Sequence, residues 1–227
     1  SRVIGLALPP EPATPSFFES AKVAEGMTSL TADIRDFDSV RRIFDQHSPE
    51  IVFHNAAQAL VRRSYRDPIE TYATNVMGTV HVLEAARRTA SVRAVVVVTS
   101  DKCYENREWV WGYREHDPMG GFDPYSSSKG CAELVTAAYR RSFFSANGKS
   151  KQGALVASAR AGNVIGGGDW SEDRLVPDLV RGIVGGTKIV IRNPRALRPW
   201  QHVLDPLYGY LLLARRLCNR ESEFAEP

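Results

Sequence analysis

A chain of 227 residues with 43% hydrophobic side chains is long enough for one large domain, or for one domain with a small annex. Its net charge of +3 is too mild to call for nucleic acid, and its longest apolar runs, 95–98 and 211–214, fall far short of the ~20 residues a membrane helix needs. Three cysteines, Cys103, Cys131 and Cys218, without C-x-x-C spacing, argue against a disulfide frame or a zinc site and suit a reduced cytoplasmic protein; no basic stretch leading into an apolar core opens the chain.

Residues 3–8 read as a short buried strand closed by a loop containing Pro9, Pro10, Pro12 and Pro15. Asp33 closes a further short strand. Over 36–47, Val40, Ile43 and Phe44 recur at helical spacing, and 51–54 follows as a strand. Asp67-Pro68 pairs an N-cap with proline at the first helical position and opens a helix to about Thr89. Residues 93–99 contain four consecutive valines, the pattern of a parallel strand buried on both faces. A helix is expected from about Tyr125 to Phe144, a strand over 155–160, and a last helix from Asp205-Pro206 to about Cys218. This alternation predicts a doubly wound parallel α/β sheet of the Rossmann type. Residues 1–162 would form the dinucleotide-binding domain and 163–227 most of a substrate-binding annex.

Such a fold ordinarily starts with a strand running into a Gly-rich turn that receives a pyrophosphate at a helix N-terminus. No G-x-x-G-x-x-G is present: Gly5 stands alone, and Gly166–Gly168 follows a late strand. The expectation is therefore that the first strand and its turn lie outside this chain, and that the natural protein extends at both ends.

The strongest chemical signal is Tyr125-Ser126-Ser127-Ser128-Lys129. Tyrosine and lysine four apart share one helix face. A neighbouring ammonium favours phenolate over phenol and draws a tyrosine pKa down from about 10, so the phenolate can take a hydroxyl proton. With eight tyrosines a chance Tyr-x-x-x-Lys is common, and a surface helix with a solvated lysine is the plain alternative. Context strengthens the pair. The valine-rich strand delivers Thr99-Ser100-Asp101-Lys102 to its carboxyl end, the edge where open α/β sheets bind ligands. Ser100 can donate to the same oxygen as Tyr125, with an acid and a base beside it; a turn closed by Ser and Asp explains the residues equally well. His54-Asn55-Ala56-Ala57-Gln58 ends another strand, where small residues let backbone approach a cofactor, and Asn75 lies inside a helix it does not favour.

The runs DIRD (33–36), FHNAAQALVRRSY (53–65), TYATNVMGT (71–79), VTSDKCYEN (98–106), PYSSSKGCAELV (124–135), RAGNVIGGGDW (160–170) and RPWQHVLDPL (198–207) together resemble the extended short-chain dehydrogenase/reductase family. Within it they are most similar to the dehydratases that act on CDP-glucose. TSDKCY, NVIGGGDW and RPWQHV carry most of that specificity, since related dehydratases have Asp-Glu where this chain has Asp101-Lys102.

The resemblance implies NAD as cofactor, touching Asp33, Ile34, Asn55, Ala56, Ala57, Gln58, Asn75, Thr99, Tyr125 and Lys129. It implies a sugar-nucleotide substrate, CDP-glucose, against Ser100, Asn163, Arg174, Leu175, Arg192, Arg198 and His202. Tyr125, assisted by Ser100 and Lys129, would remove the proton of the sugar's 4-hydroxyl as hydride passes from carbon 4 to NAD. Asp101 would protonate the departing 6-hydroxyl, and Lys102 would handle the carbon 5 proton or steady the enolate; a lysine base asks for a pKa lowered from about 10.4. Arginine forks suit a diphosphate, and Trp200 offers apolar surface to the nucleoside. NAD in preference to NADP rests on the resemblance alone, because Leu8-Pro9-Pro10 leaves no acid at a strand end to hold a ribose hydroxyl. A homodimer packed through the helices beginning near Pro68 and Tyr125 is the family expectation, with neither nucleic acid, membrane nor metal as partner. An epimerase or decarboxylase of the same superfamily is the first alternative, disfavoured by Asp101-Lys102. A non-catalytic cofactor sensor is the second, disfavoured by intact Ser100, Tyr125 and Lys129.

Overall fold

The computed structural model describes residues 2–11, 15–144 and 153–220. In chain order the elements are β1 (Ile4–Ala7), α1 (Phe17–Ser20), β2 (Thr28–Thr31), α2 (Phe37–His47), β3 (Ile51–His54), α3 (Val61–Arg66), α4 (Pro68–Tyr72), α5 (Gly78–Arg87), β4 (Ala94–Val98), α6 (Pro124–Phe143), β5 (Leu155–Ala159), β6 (Asn163–Ile165), α7 (Leu175–Val184), β7 (Trp200–His202) and α8 (Leu204–Cys218). Of the proline loop, Pro12 lies outside the described residues. The chain divides into two compact units, one drawn from residues 1–32 and 162–205, the other from 33–161 and 206–227.

The second unit is built on the parallel sheet β3-β4-β5, with Ile51 to His54 aligned on Ala94 to Val97, and Ala94 to Val98 on Leu155 to Ala159. Alternate residues of a strand face opposite ways. One face of β4 and β5, carrying Ala94, Val96, Leu155 and Ala157, packs on Ala214 and Leu217 of α8. The other carries Val95, Val97 and Val156, equally buried, and α5 and α6 lie against these strands. Helices on both faces explain why β4 reads as an unbroken run of valines: neither side meets water. This is the doubly wound parallel arrangement expected from the sequence. Among the described residues β3 has one strand neighbour, β4, and Ile51 and Phe53 remain partly exposed on it.

Local chemistry sets the helix ends. Asp36 caps α2 by accepting from the backbone N–H groups of Asp38 and Ser39; Asp67 caps α4 through Glu70, with Pro68 following; Asp123 caps α6 through Ser126, with Pro124 following. The helix from Pro68 to Arg87 does not run evenly. Between α4 and α5 the segment Ala73–Met77 winds as a π-turn, and buried Asn75 lies in it. Gly78, next along, is a close-approach site: a β-carbon there would come within 2.4 Å of Ile34 Cδ1. Asp205 does not cap the last helix as expected. α8 begins one residue earlier, at Leu204, so Asp205 falls inside the first turn, where its charge still suits the positive end of the helix.

The first unit holds two separate parallel pairs, β1-β2 and β6-β7. Its helix α7 was not foreseen, although Leu175, Val176, Leu179, Val180, Ile183 and Val184 recur at helical spacing; Pro177 and Gly182 interrupt the pattern, and Pro177 is tolerated because it lies in the first turn.

Candidate active site

The carboxyl ends of β4 and β5 and the first turns of α6 bring five of the sequence-predicted residues into one region of the second unit. Past β4 the backbone stays stitched to β5: Thr99 N–H donates to the Ala159 carbonyl (2.9 Å) and Asp101 N–H to the Ala161 carbonyl (3.0 Å). The chain then turns tightly over Asp101–Cys103. Ser100 is buried, and its hydroxyl donates to Asp101 Oδ1 (3.0 Å) while accepting from Lys102 N–H (3.3 Å). Lys102 Nζ reaches the same Asp101 oxygen at 3.4 Å. Lys102 is about a third exposed, at 36% of its side chain.

Tyr125 and Lys129 lie one turn apart in α6, and both are buried. Tyr125 N–H donates to Ser64 Oγ (3.1 Å), fixing the start of the helix against α3. Lys129 Nζ donates to the Val98 carbonyl at the end of β4 (3.3 Å). Burial pulls its pKa down to about 8, against the partial opposition of Glu133 and Cys103. Gly130 lets α6 lie close to the backbone of Cys103 and Gly120: a β-carbon there would lie 2.8 Å from the Gly120 carbonyl oxygen and 3.3 Å from that of Cys103. Cys103 is buried, its thiol pushed up to about 12, which leaves it inert.

The predicted cofactor-side residues fall into two groups. Asn55, Ala56 and Ala57 follow β3 directly. Gln58 and Asn75 are buried and engaged with each other: Gln58 N–H donates to Asn75 Oδ1 (2.8 Å), and Asn75 Nδ2 donates to the Gln58 carbonyl (3.0 Å) and to Ser128 Oγ (2.8 Å). The Gln58 amide also donates to Thr71 (2.9 Å). These two side chains thus tie the loop after β3 to the π-turn and to α6. His54 is buried against Thr79 (3.0 Å), and burial together with Lys129 lowers its pKa to about 3, so its ring is neutral. Asp33 accepts from the backbone and guanidinium of Arg35, which holds its carboxyl below the usual range, and the Ile34 carbonyl contacts His81 Nδ1 (2.8 Å). Thr99 gives its hydroxyl to Glu133.

The remaining predicted residues belong to the first unit. Asn163 opens β6, and its side-chain oxygen is buried without a hydrogen-bond partner among the described residues, the state of an acceptor that a ligand's donor would satisfy. Arg174, the residue before α7, pairs with Asp169 (2.9 Å), and Leu175 begins that helix partly exposed. Arg192 pairs with Asp173 (2.7 Å), Arg198 donates to the Leu197 carbonyl (2.8 Å), and His202 Nδ1 accepts from Leu204 N–H (3.3 Å).

Sequence reasoning missed buried Glu133 and half-buried Arg160, a pair at 3.0 Å beside this region. The signal was present: Glu133 extends the Tyr125, Lys129 stride by one more turn, and an inward-facing carboxylate on that face calls for partners.

Comparison with known proteins matches residues 9–223 to the model of the NAD dependent epimerase/dehydratase family. The chain is 57% identical over 215 residues to the CDP-glucose 4,6-dehydratase of Salmonella typhimurium, covering 95% of this chain and 60% of that enzyme's length. It is 35% identical over 121 residues to the UDP-glucose 4-epimerase of Mycolicibacterium smegmatis, covering 53% of this chain and 38% of that enzyme. The crystal structure of the dTDP-glucose 4,6-dehydratase DesIV from Streptomyces venezuelae, solved with NAD bound, superposes with a TM-score of 0.78 at 26% identity, covering 94% of this chain and 62% of that one.

Proposed function

This chain belongs to the NAD dependent epimerase/dehydratase family, and from that premise we propose that it is the catalytic part of a lyase converting CDP-glucose to CDP-4-keto-6-deoxyglucose and water. The observation that carries the proposal is the Asp101–Lys102 pair on the Ser100 turn, beside the helix bearing Tyr125 and Lys129. An epimerase has no use for a second acid and base at this edge; a dehydratase needs both.

The residues present suit the nicotinamide half of NAD: small side chains after β3, and a buried ammonium and phenol at the carboxyl end of β4. Bound NAD supplies a hydride acceptor that later returns the hydride. The protein groups handle the protons. Tyr125, its phenolate favoured by Lys129, takes the proton of the sugar's 4-hydroxyl while Ser100 donates to that oxygen. The ketone formed makes the carbon 5 hydrogen acidic. Asp101 and Lys102 lie 3.4 Å apart, close enough for a proton to pass from the ammonium to the carboxylate, a transfer that leaves a neutral acid and a neutral amine. Lys102 then takes the carbon 5 proton, becoming an ammonium that offsets the enolate, and Asp101 protonates the leaving 6-hydroxyl. Gln58 and Asn75, engaged with each other, hold the cofactor-side loop in shape. In the annex, Asn163 contributes its unmet acceptor to the substrate, while Arg174, Arg192 and Arg198 serve the diphosphate.

We assign the whole protein as a cytoplasmic homodimer, in keeping with its free thiols and with Ile69 and Leu134, which stand exposed on α4 and α6. Ile69→Glu with Leu134→Glu is expected to give a folded monomer by light scattering; an unchanged dimer would move the interface elsewhere. The reaction itself is tested by incubating full-length protein with CDP-glucose and NAD and assaying the 4-keto-6-deoxy sugar. Product from CDP-glucose supports the reading, and no product from CDP-, dTDP-, UDP- or GDP-glucose would end it.

A further inference from the structure

The face of α6 that carries Tyr125 and Lys129 continues one turn further to Glu133, a side chain only 5% exposed. A carboxylate rarely goes into a protein interior unless every oxygen is partnered. Here three donors meet it, each from the end of a strand. Thr99, just past β4, gives its hydroxyl to Oε1; Ser158 of β5 donates to Oε2 (2.7 Å); and Arg160, just past β5, donates to Oε2 through Nη2 (3.0 Å). Arg160 uses its other terminal nitrogen on the Tyr104 hydroxyl (2.8 Å) and the Glu115 carbonyl (2.9 Å), and its guanidinium lies 4.9 Å from the Tyr104 ring centre. One buried carboxylate therefore binds together α6, the exits of β4 and β5 and, through Arg160, the loop that follows the Asp101–Cys103 turn.

The mechanism proposed above does not use this cluster, yet it spans the two elements that the mechanism must hold in register. Ser100 is covalently next to Thr99. Lys129 is one helical turn from Glu133. Resting on the dehydratase reading, we propose that Glu133 is a positioning residue: the clamp that fixes the Ser100–Lys102 turn against the helix face carrying Tyr125 and Lys129, and that supplies the negative charge supporting the Lys129 ammonium. The charge role follows from the surroundings of Lys129, which meets Glu133 on its own helix, the Cys103 thiol on the adjoining turn and neutral His54 at the end of β3. Glu133 is the anion of that set. It remains ionised because hydrogen bonds from Arg160, Thr99 and Ser158 outweigh the cost of burial, and Arg140 lies on the same helix as a further cation.

The test uses full-length protein carrying Glu133→Gln, with Thr99→Val and Ser158→Ala as milder variants should the first fail to fold. Three readouts separate a clamp from a simple support of the fold: kcat against KM, the alkaline limb of the kcat profile, and the titration midpoint of Lys129 by NMR of carbon-13-labelled lysine. For Glu133→Gln, kcat is expected to fall roughly ten- to a hundredfold, the cost of a misplaced reacting group, with KM nearly unchanged. The Lys129 midpoint moves to lower pH, and the alkaline limb of activity moves with it. Thr99→Val and Ser158→Ala lower kcat by about two- to fivefold, as expected for loss of one hydrogen bond of modest net worth. Wild-type kcat and an unmoved Lys129 midpoint in a folded Glu133→Gln protein would overturn the proposal. If Glu133→Gln does not fold, the same two results in both milder variants overturn it. Should wild-type protein make no keto sugar, the functional reading fails, while the Lys129 titration still decides the clamp.

Discussion

The two compact units hold their polar groups in opposite ways. In the unit built on β3-β4-β5, three of the candidate reacting groups are buried, Ser100 at 6% exposed, Tyr125 at 8% and Lys129 at 6%, with Asp101 and Lys102 about a third exposed beside them. Ser100 bonds the Asp101 carboxylate, Lys129 the Val98 carbonyl, and the Tyr125 N–H the Ser64 hydroxyl. In the other unit the candidate binding cations are open, with side-chain exposures of 40% for Arg174 and 49% for Arg192, and each rests on a nearby aspartate. Burial fixes geometry and distorts proton affinity, which acid–base chemistry requires. Exposed ion pairs are worth little and exchange readily, which suits arginines proposed to take a ligand's phosphates. One unit is preorganised at a cost to stability; the other keeps its charges available.

The sharpest way to break this comparison is Tyr125→Phe, which removes the phenol and leaves the packing. Turnover is expected to fall about 10³-fold or more in a steady-state assay of the keto sugar. A loss of less than tenfold would move the base elsewhere. Asp101→Asn should be milder, about 10²-fold in net turnover, and different in kind. Elimination stalls after oxidation, so reduced nicotinamide builds up and is read by its absorbance; no build-up would place Asp101 in the first step.

The third prediction concerns the cost of burial. Lys129 is held at about 8, below its ordinary 10.5, because burial disfavours the charged form. Below pH 8 it is protonated in both folded and unfolded chains, and the folded protein bears the whole penalty. Between the two values the unfolded chain binds the proton and the folded one does not, so stability rises with pH there. Lys129→Met is therefore expected to stabilise the protein at pH 7 by about 1–3 kcal/mol, measured by urea unfolding, while abolishing turnover. A less stable variant would show that the bond to the Val98 carbonyl outweighs desolvation. Smallest is Asp173→Asn in the other unit. Releasing Arg192 from an exposed pair should lower KM for the sugar nucleotide by about two- to fivefold without altering kcat, since such pairs contribute about 0.2–1 kcal/mol.

Legibility in the sequence followed the same divide. β4 was readable because a strand covered on both faces needs valine throughout, α2 because Val40, Ile43 and Phe44 recur at helical spacing, and α4 because it opens with an aspartate cap followed by proline. The Tyr125, Lys129 pair and the Ser100 turn were readable as types at a spacing. What the sequence hid was partnership across the fold. That Glu133 would meet Thr99, Ser158 and Arg160 depends on how two strand ends lie against a helix, and no local pattern encodes it. Likewise the Asn75 side chain joins the Gln58 backbone to Ser128 while the Gln58 amide reaches Thr71, partnerships between distant segments that a linear string does not spell out. α7 was missed for a local reason, a proline in its first turn.

The π-turn at Ala73–Met77 bears on how this protein tolerates change in length. One residue inserted into a regular helix turns everything beyond it by about 100°. α5 carries a buried stripe of Val82, Leu83, Ala85 and Ala86, and α4 buries Thr71 against the Gln58 amide. Both stripes are in phase only because of the wide turn between them. Deleting a single residue there would regularise the helix and improve its local hydrogen bonding, while swinging Leu83 away from its core or Thr71 away from Gln58. Substitutions are therefore expected to drift freely on the outer face of this helix, whereas its residue count is fixed.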